Sequence, residues 1–100
     1  MTDHYEDTHD LTQDDITTFL EAMASGREVE AGSEVHRIMV AASERAMRIT
    51  ARMNSSFQNL SETRNAFEEV LMEPLPDGVG LFPPFSTDCG INTHLGRNVF

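Results

Sequence analysis

The chain has 100 residues, 17 acidic against 7 basic side chains, and a formal net charge of −10. That length allows one domain at most, and a small one depends on every apolar contact it can make. The charge argues against general nucleic-acid binding and against docking on anionic lipid, since phosphates are repelled. The single cysteine, Cys89, rules out an intrachain disulfide and a Cys-rich zinc site. No run suits a membrane span and no leader pattern opens the chain, so a cytoplasmic protein is expected.

The opening stretch MTDHYEDTHDLTQDD carries six carboxylates and no Lys or Arg. Residues 1–11 read as an acidic, solvated tail. His4 and His9 stand there among Asp3, Glu6, Asp7 and Asp10. The spacing suits a solvated tail better than a metal site, and no metal is expected.

The first helix is expected over about 12–25. Thr12 with Asp15 has capping-box spacing, Ile16, Phe19, Leu20 and Met23 share a face, and Gly26 closes the run. The second is expected over about 34–53, with Ser33 as N-cap and Glu34 in the first turn. Its apolar stripe is Val35, Ile38, Met39, Ala42, Ala46, Ile49 and Met53. Arg37, Arg45, Arg48 and Arg52 read as a solvated face, with an acidic partner or a phosphate as the functional alternative. NSSFQN reads as a loop. A third helix is expected over about 61–72, with Asn59 to Glu62 as capping box and Ser61 as a second possible cap. Pro74 and Pro76 end it, PDG at 76–78 is a turn, and VGLF with Pro83 and Pro84 is extended.

The last residues change period. Leu95-Gly96-Arg97-Asn98-Val99 has the form of one hexapeptide unit, of the kind that stacks into a parallel β-helix. The expected fold class is therefore α+β: about three N-terminal helices followed by the first coil of a left-handed parallel β-helix. The expected organisation is the tail at 1–11, a helical region at 12–80 and the start of the β-helix at 81–100.

Four stretches, taken in order, resemble the N-terminal region of the maltose and galactoside O-acetyltransferase family, the hexapeptide-repeat sugar acetyltransferases. FLEAMASGREVEAGSEV is similar to the opening helix and the family's G-E-x-Y-D-A turn. SERAMRITARMN is similar to A-R-x-L-x-x-x-F-N, with Met53-Asn54 for Phe-Asn, and ETRNAFEEVL to the short E-x-R-x-x-L-L-x-x-L helix. PPFSTDCGINTHLGRNVF is similar to P-P-F-x-C-D-Y-G-x-N-I-x-I-G-x-N-x-F, holding Pro83, Pro84, Phe85, Asp88, Gly90, Asn92, Gly96, Asn98 and Phe100 in register. Val29, Cys89 and Thr93 depart from the pattern.

The resemblance implies an acetyl-CoA-dependent transfer of acetyl to a sugar hydroxyl, in a trimer whose sites lie between subunits. It implies that Asp88, Glu30 and Phe100 contact the acceptor. Asp88 and Glu30 would accept from sugar hydroxyls, and the Phe100 ring would pack on a sugar C–H face. The family's general-base histidine and its coenzyme turns would fall beyond Phe100. A truncated module without catalytic, cofactor-binding or metal residues of its own is then expected, with acetyl-CoA only a co-substrate of the full-length family. His94 is expected to be structural, Cys89 a packed thiol and the methionines adaptable core. The alternatives are a non-catalytic helical module, binding or self-associating through partly exposed apolar stripes, and a decayed, truncated reading frame.

Overall fold

The computed structural model describes residues 11–100. Three helices follow one another: α1 (Gln13–Ser25), α2 (Glu34–Ser55) and α3 (Leu60–Leu71). Each starts where local chemistry satisfies the free N–H groups of its first turn. Thr12 caps α1 in a full capping box, with Asp15 N–H donating to the Thr12 hydroxyl and Thr12 N–H to the Asp15 carboxylate. Ser33 accepts from the His36 N–H at the head of α2. Asn59 and Glu62 form the second capping box, at the head of α3.

The ends of the helices are equally local. Gly26 closes α1 in the left-handed region at φ 70°. Met72 closes α3 at φ 57°, an uncommon conformation for a side chain of that size. α2 runs on through Asn54 and Ser55, beyond the stop expected at Met53.

The chain forms two compact units, one running up to Glu44 and the other Arg45–Phe100. In the first, Phe19 of α1 and Ile38, Ala41 and Ala42 of α2 are buried. Arg37 of α2 donates to the Asp15 carboxylate of α1 at 3.2 Å and to Glu34 at 2.9 Å. The second unit has its own core, built from Ile49, Met53, Ala66, Phe67, Val70, Leu71 and Leu75. Val79, Leu81, Phe85 and Leu95 pack against it from the connecting chain.

One expectation needs correction. The chain is not α+β: among the described residues there is no strand and no β-helix coil, and the architecture is all-α followed by irregular chain. The physical reason lies in where the apolar residues of 81–100 go. Leu81, Phe85 and Leu95 pack on the helical core, and Ile91 is buried. These side chains are covered by helices, so no coil interior is needed to bury them. Of the α2 stripe, Ile38, Ala42, Ala46, Ile49 and Met53 are buried, whereas Val35 and Met39 are half-buried.

Glycine is required at position 90. Its φ is 83°, and a Cβ there would lie 2.6 Å from Val70 Cγ1 and 2.8 Å from the Val70 carbonyl oxygen. Gly26 also has positive φ, but open space surrounds it. Gly26→Ala is expected to cost only the left-handed strain, about 1–2 kcal/mol. Gly90→Ala adds overpacking and is expected to cost about 3 kcal/mol. Urea denaturation of the two variants compares them directly, and equal losses would contradict the close approach to Val70.

Asp15 supplies a pH dependence. The Thr12 N–H it accepts is the main reason its carboxyl lies below the ordinary carboxylate value; burial opposes this, and Arg37 adds to the lowering. A folded-state value below the unfolded one means the contribution is whole above about pH 4 and is lost as pH falls through the folded value. The stability difference between the parent and Asp15→Asn should therefore be larger at pH 6 than at pH 3. A difference that stays constant across that range in urea midpoints would contradict the assignment.

Candidate functional site

The run from Phe85 to Leu95 is irregular but tied down along its length. The Phe85 ring meets Phe67 of α3 edge-to-face, with centroids 4.8 Å apart. The Asn54 side chain grips the Phe85 backbone from both sides: its amide nitrogen donates to the Phe85 carbonyl at 2.8 Å, and its oxygen accepts the Phe85 N–H at 3.0 Å. This pairing gives Phe85 the two backbone bonds that a strand neighbour would otherwise supply. Five residues on, Gly90 lies against Val70, and Ile91 is buried. Thr93 N–H then closes a turn on the Gly90 carbonyl at 3.1 Å. His94 Nδ1 lies 2.8 Å from the Glu73 carboxylate just beyond α3.

Asp88 sits between the anchors at Phe85 and Gly90, with its side chain exposed. It is thus held on a short, two-ended segment and faces solvent, able to accept hydrogen bonds. Its neighbour Cys89 is half-buried. Burial pushes the Cys89 thiol above its ordinary value, and the Asp88 charge pushes the same way. A thiol held neutral is a poor nucleophile.

Phe100 is 96% exposed. Its end of the chain is held by two backbone bonds, Asn98 N–H to the Asp77 carbonyl at 3.0 Å and Gly80 N–H to the Val99 carbonyl at 2.9 Å. No hydrogen bond or ring contact joins Phe100 to Asp88 among the described residues. Glu30 belongs to the first unit. It lies in the turn before α2, where its carbonyl accepts the Ser33 N–H at 3.2 Å. Its side chain is exposed and lines an open hollow of about 450 Å³ together with Glu21, Arg27, Glu28 and Val29. The three residues expected at the acceptor are therefore all accessible, with Asp88 and Phe100 in one unit and Glu30 in the other.

Of the α2 arginines, Arg37, Arg48 and Arg52 are exposed, in keeping with a solvated face, and Arg45 is the exception. Arg45 is half-buried and donates to the Glu69 and Val70 carbonyls at the end of α3, groups that no helical N–H can reach. Burial pulls the Arg45 value down, and the Glu69 charge opposes it. Arg52 pairs with the Glu69 carboxylate at 2.8 Å. Arg64 of α3 reaches the Leu75 carbonyl at 2.8 Å and those of Pro76 and Val79 at 3.4 and 3.5 Å. None of these roles is visible in linear spacing, since each partner carbonyl is set by tertiary packing.

The candidate metal ligands His4 and His9, with Asp3, Glu6, Asp7 and Asp10, lie outside the described residues. Among the described residues, no group of three or more His, Cys, Asp and Glu comes together. None of the described helices is long and apolar enough to cross a membrane. A scan against protein-family models gives no match, and searches of curated proteins and of solved structures give none either.

Asn54 is the residue that spacing analysis missed, having been read as loop. Its signal was its place directly after Met53, where the resembling pattern has Phe-Asn. Asn54→Ala removes both bonds to Phe85 and is expected to cost about 1–2 kcal/mol. Amide exchange at Phe85 should accelerate in the same variant. Asn54→Asp keeps the acceptor but sets a carboxylate oxygen against the Phe85 carbonyl, so it should be no better than alanine. An exchange rate at Phe85 that is unchanged in Asn54→Ala would contradict the two-sided grip.

Proposed function

We propose that this chain is the acceptor-binding helical region of an acetyl-CoA-dependent sugar O-acetyltransferase of the maltose and galactoside type. In this reading Asp88 and Glu30 accept hydrogen bonds from sugar hydroxyls, and Phe100 offers a ring face to a pyranose. The reading uses the helices and the anchored run, and no β-helix coil. Within the four resembling stretches no residue corresponds to the family's general-base histidine, so the chemistry assigned here is binding and orientation of the acceptor. The chain's own contribution includes no coenzyme or metal contact. A cytoplasmic location fits a reaction that consumes acetyl-CoA.

One observation supports the reading above others. Three of the positions on which the resemblance rests have a packing role: Gly90 has no room for a Cβ, Phe85 meets Phe67 edge-to-face, and Asn54 grips Phe85. Asp88 is different. It is in register with the same pattern, yet it is exposed and makes no core contact that would explain it. A carboxylate presented to solvent on an anchored segment suits a hydroxylated ligand.

The test is an NMR titration of the chain with maltose and with methyl β-galactoside at millimolar concentration. Amide shifts should centre on Asp88 with at least one of the two sugars, and Asp88→Ala should abolish them while the far-ultraviolet circular dichroism stays unchanged. Shifts that are absent for both sugars, or that survive Asp88→Ala, would overturn the reading.

A further inference from the structure

All three helices begin with a reciprocal cap, but that of α2 uses a different acceptor. In α1 and α3 the third helical residue is a carboxylate, Asp15 and Glu62, which reaches back to accept the N–H of the capping residue. In α2 the same position is His36. Its own N–H donates to the Ser33 hydroxyl at 3.2 Å, and its ring nitrogen Nδ1 accepts the Gly32 N–H at 3.0 Å. The arrangement is that of a capping box moved back by one residue, with an imidazole in place of the carboxylate.

The imidazole makes this cap titratable in mild acid. A backbone N–H can only donate, so Nδ1 keeps its lone pair and the ring proton sits on Nε2. A second proton would take that lone pair. Two N–H groups would then point at each other, and a positive charge would stand in the first turn, where the helix dipole disfavours cations. Carboxylates ordinarily accept hydrogen bonds down to about pH 4, whereas histidine changes charge between about pH 5 and 8. The charged groups on the elements about the ring are Asp14, Asp15 and Glu21 of α1, Arg27, Glu28 and Glu30 of the turn before α2, and Glu34 and Arg37 at the head of α2. Arg37 is engaged by Asp15 and Glu34. Among the described residues no ion pair includes His36, so no carboxylate is in place to offset the lost bond.

The bond restrains the turn that presents Glu30. Ser33 N–H donates to the Glu30 carbonyl at 3.2 Å, and Gly32 lies inside that turn at φ 83°. The same stretch supplies Arg27, Glu28, Val29 and Glu30 to the wall of the hollow of about 450 Å³. Holding Gly32 to the ring therefore fixes one side of the hollow to the head of α2.

We propose that His36 is a pH-sensitive cap: neutral, it holds the turn that carries Glu30 against the head of α2, and protonated, it releases that turn and reshapes the hollow. The device goes beyond the acceptor reading and operates whether or not Glu30 meets a sugar.

Nuclear magnetic resonance of the full 100-residue chain, labelled with nitrogen-15, tests the proposal. At about pH 7.5 the His36 ring should carry its proton on Nε2 alone, and the Gly32 amide should be protected from exchange. At about pH 5 the protection factor of Gly32, which already corrects for the pH dependence of intrinsic exchange, should be about fivefold lower. Its fall should follow the titration of the His36 ring. The Thr12 and Asn59 amides, held by carboxylates, should keep their protection over the same range. In His36→Asn the side-chain oxygen stands in for Nδ1 but does not titrate, so Gly32 should stay protected at both pH values. His36→Phe removes the acceptor and should leave Gly32 unprotected at both. Constant protection of Gly32 in the parent, or a ring protonated on Nδ1 at about pH 7.5, would overturn the proposal. So would a fall that persists in His36→Asn, because another group would then be driving it.

Discussion

The carbonyl of Val70 is approached from two directions, and the second unit is arranged around that point. Arg45 donates to it at 3.3 Å from α2, and Gly90 comes within a Cβ's reach of it from the C-terminal run. The Val70 side chain is fully buried in the core. A helix end leaves its last carbonyls without intrahelical partners, and a buried end must find them elsewhere. Here a cation from another helix supplies them, which also ties α2 to the end of α3. The approach of Gly90 is open only to a residue without a side chain, because a Cβ there would meet Val70 Cγ1 and the Val70 carbonyl oxygen. Once Gly90 is there, Ile91 and Leu95 turn to the helical core and Asp88 is left outside.

The helices were legible because their signals are local. Thr12 with Asp15 and Asn59 with Glu62 are capping boxes whose partners lie three residues apart, and Gly26 needs only its own φ. The apolar faces follow from helical period. What was illegible depends on distant partners. The Leu95 to Val99 segment has the form of a hexapeptide unit, yet a local form does not determine what covers its aliphatic residues. Leu95 packs on α3's cluster, so the segment stays irregular. Arg45 looked like its neighbours on a polar face, because the carbonyls it serves are about 25 residues away. The α2 stripe was expected to stay partly exposed, whereas its members Ile49 and Met53 are covered by α3 residues distant in sequence.

The candidate site divides in the same way. Asp88, Glu30 and Phe100 were picked by resemblance, and nothing in periodicity or charge would have selected them. Their accessibility is a property of the fold: Asp88 through its flanking anchors, Glu30 through the turn stabilised by Ser33 and His36, and Phe100 through the bonds of residues 98 and 99 to 77 and 80. Asn54 went unread for the opposite reason. It is polar, follows the expected end of α2 at Met53 and precedes two serines, which is the composition of a loop. Its role appears only when Phe85, 31 residues later, presents a backbone needing both a donor and an acceptor.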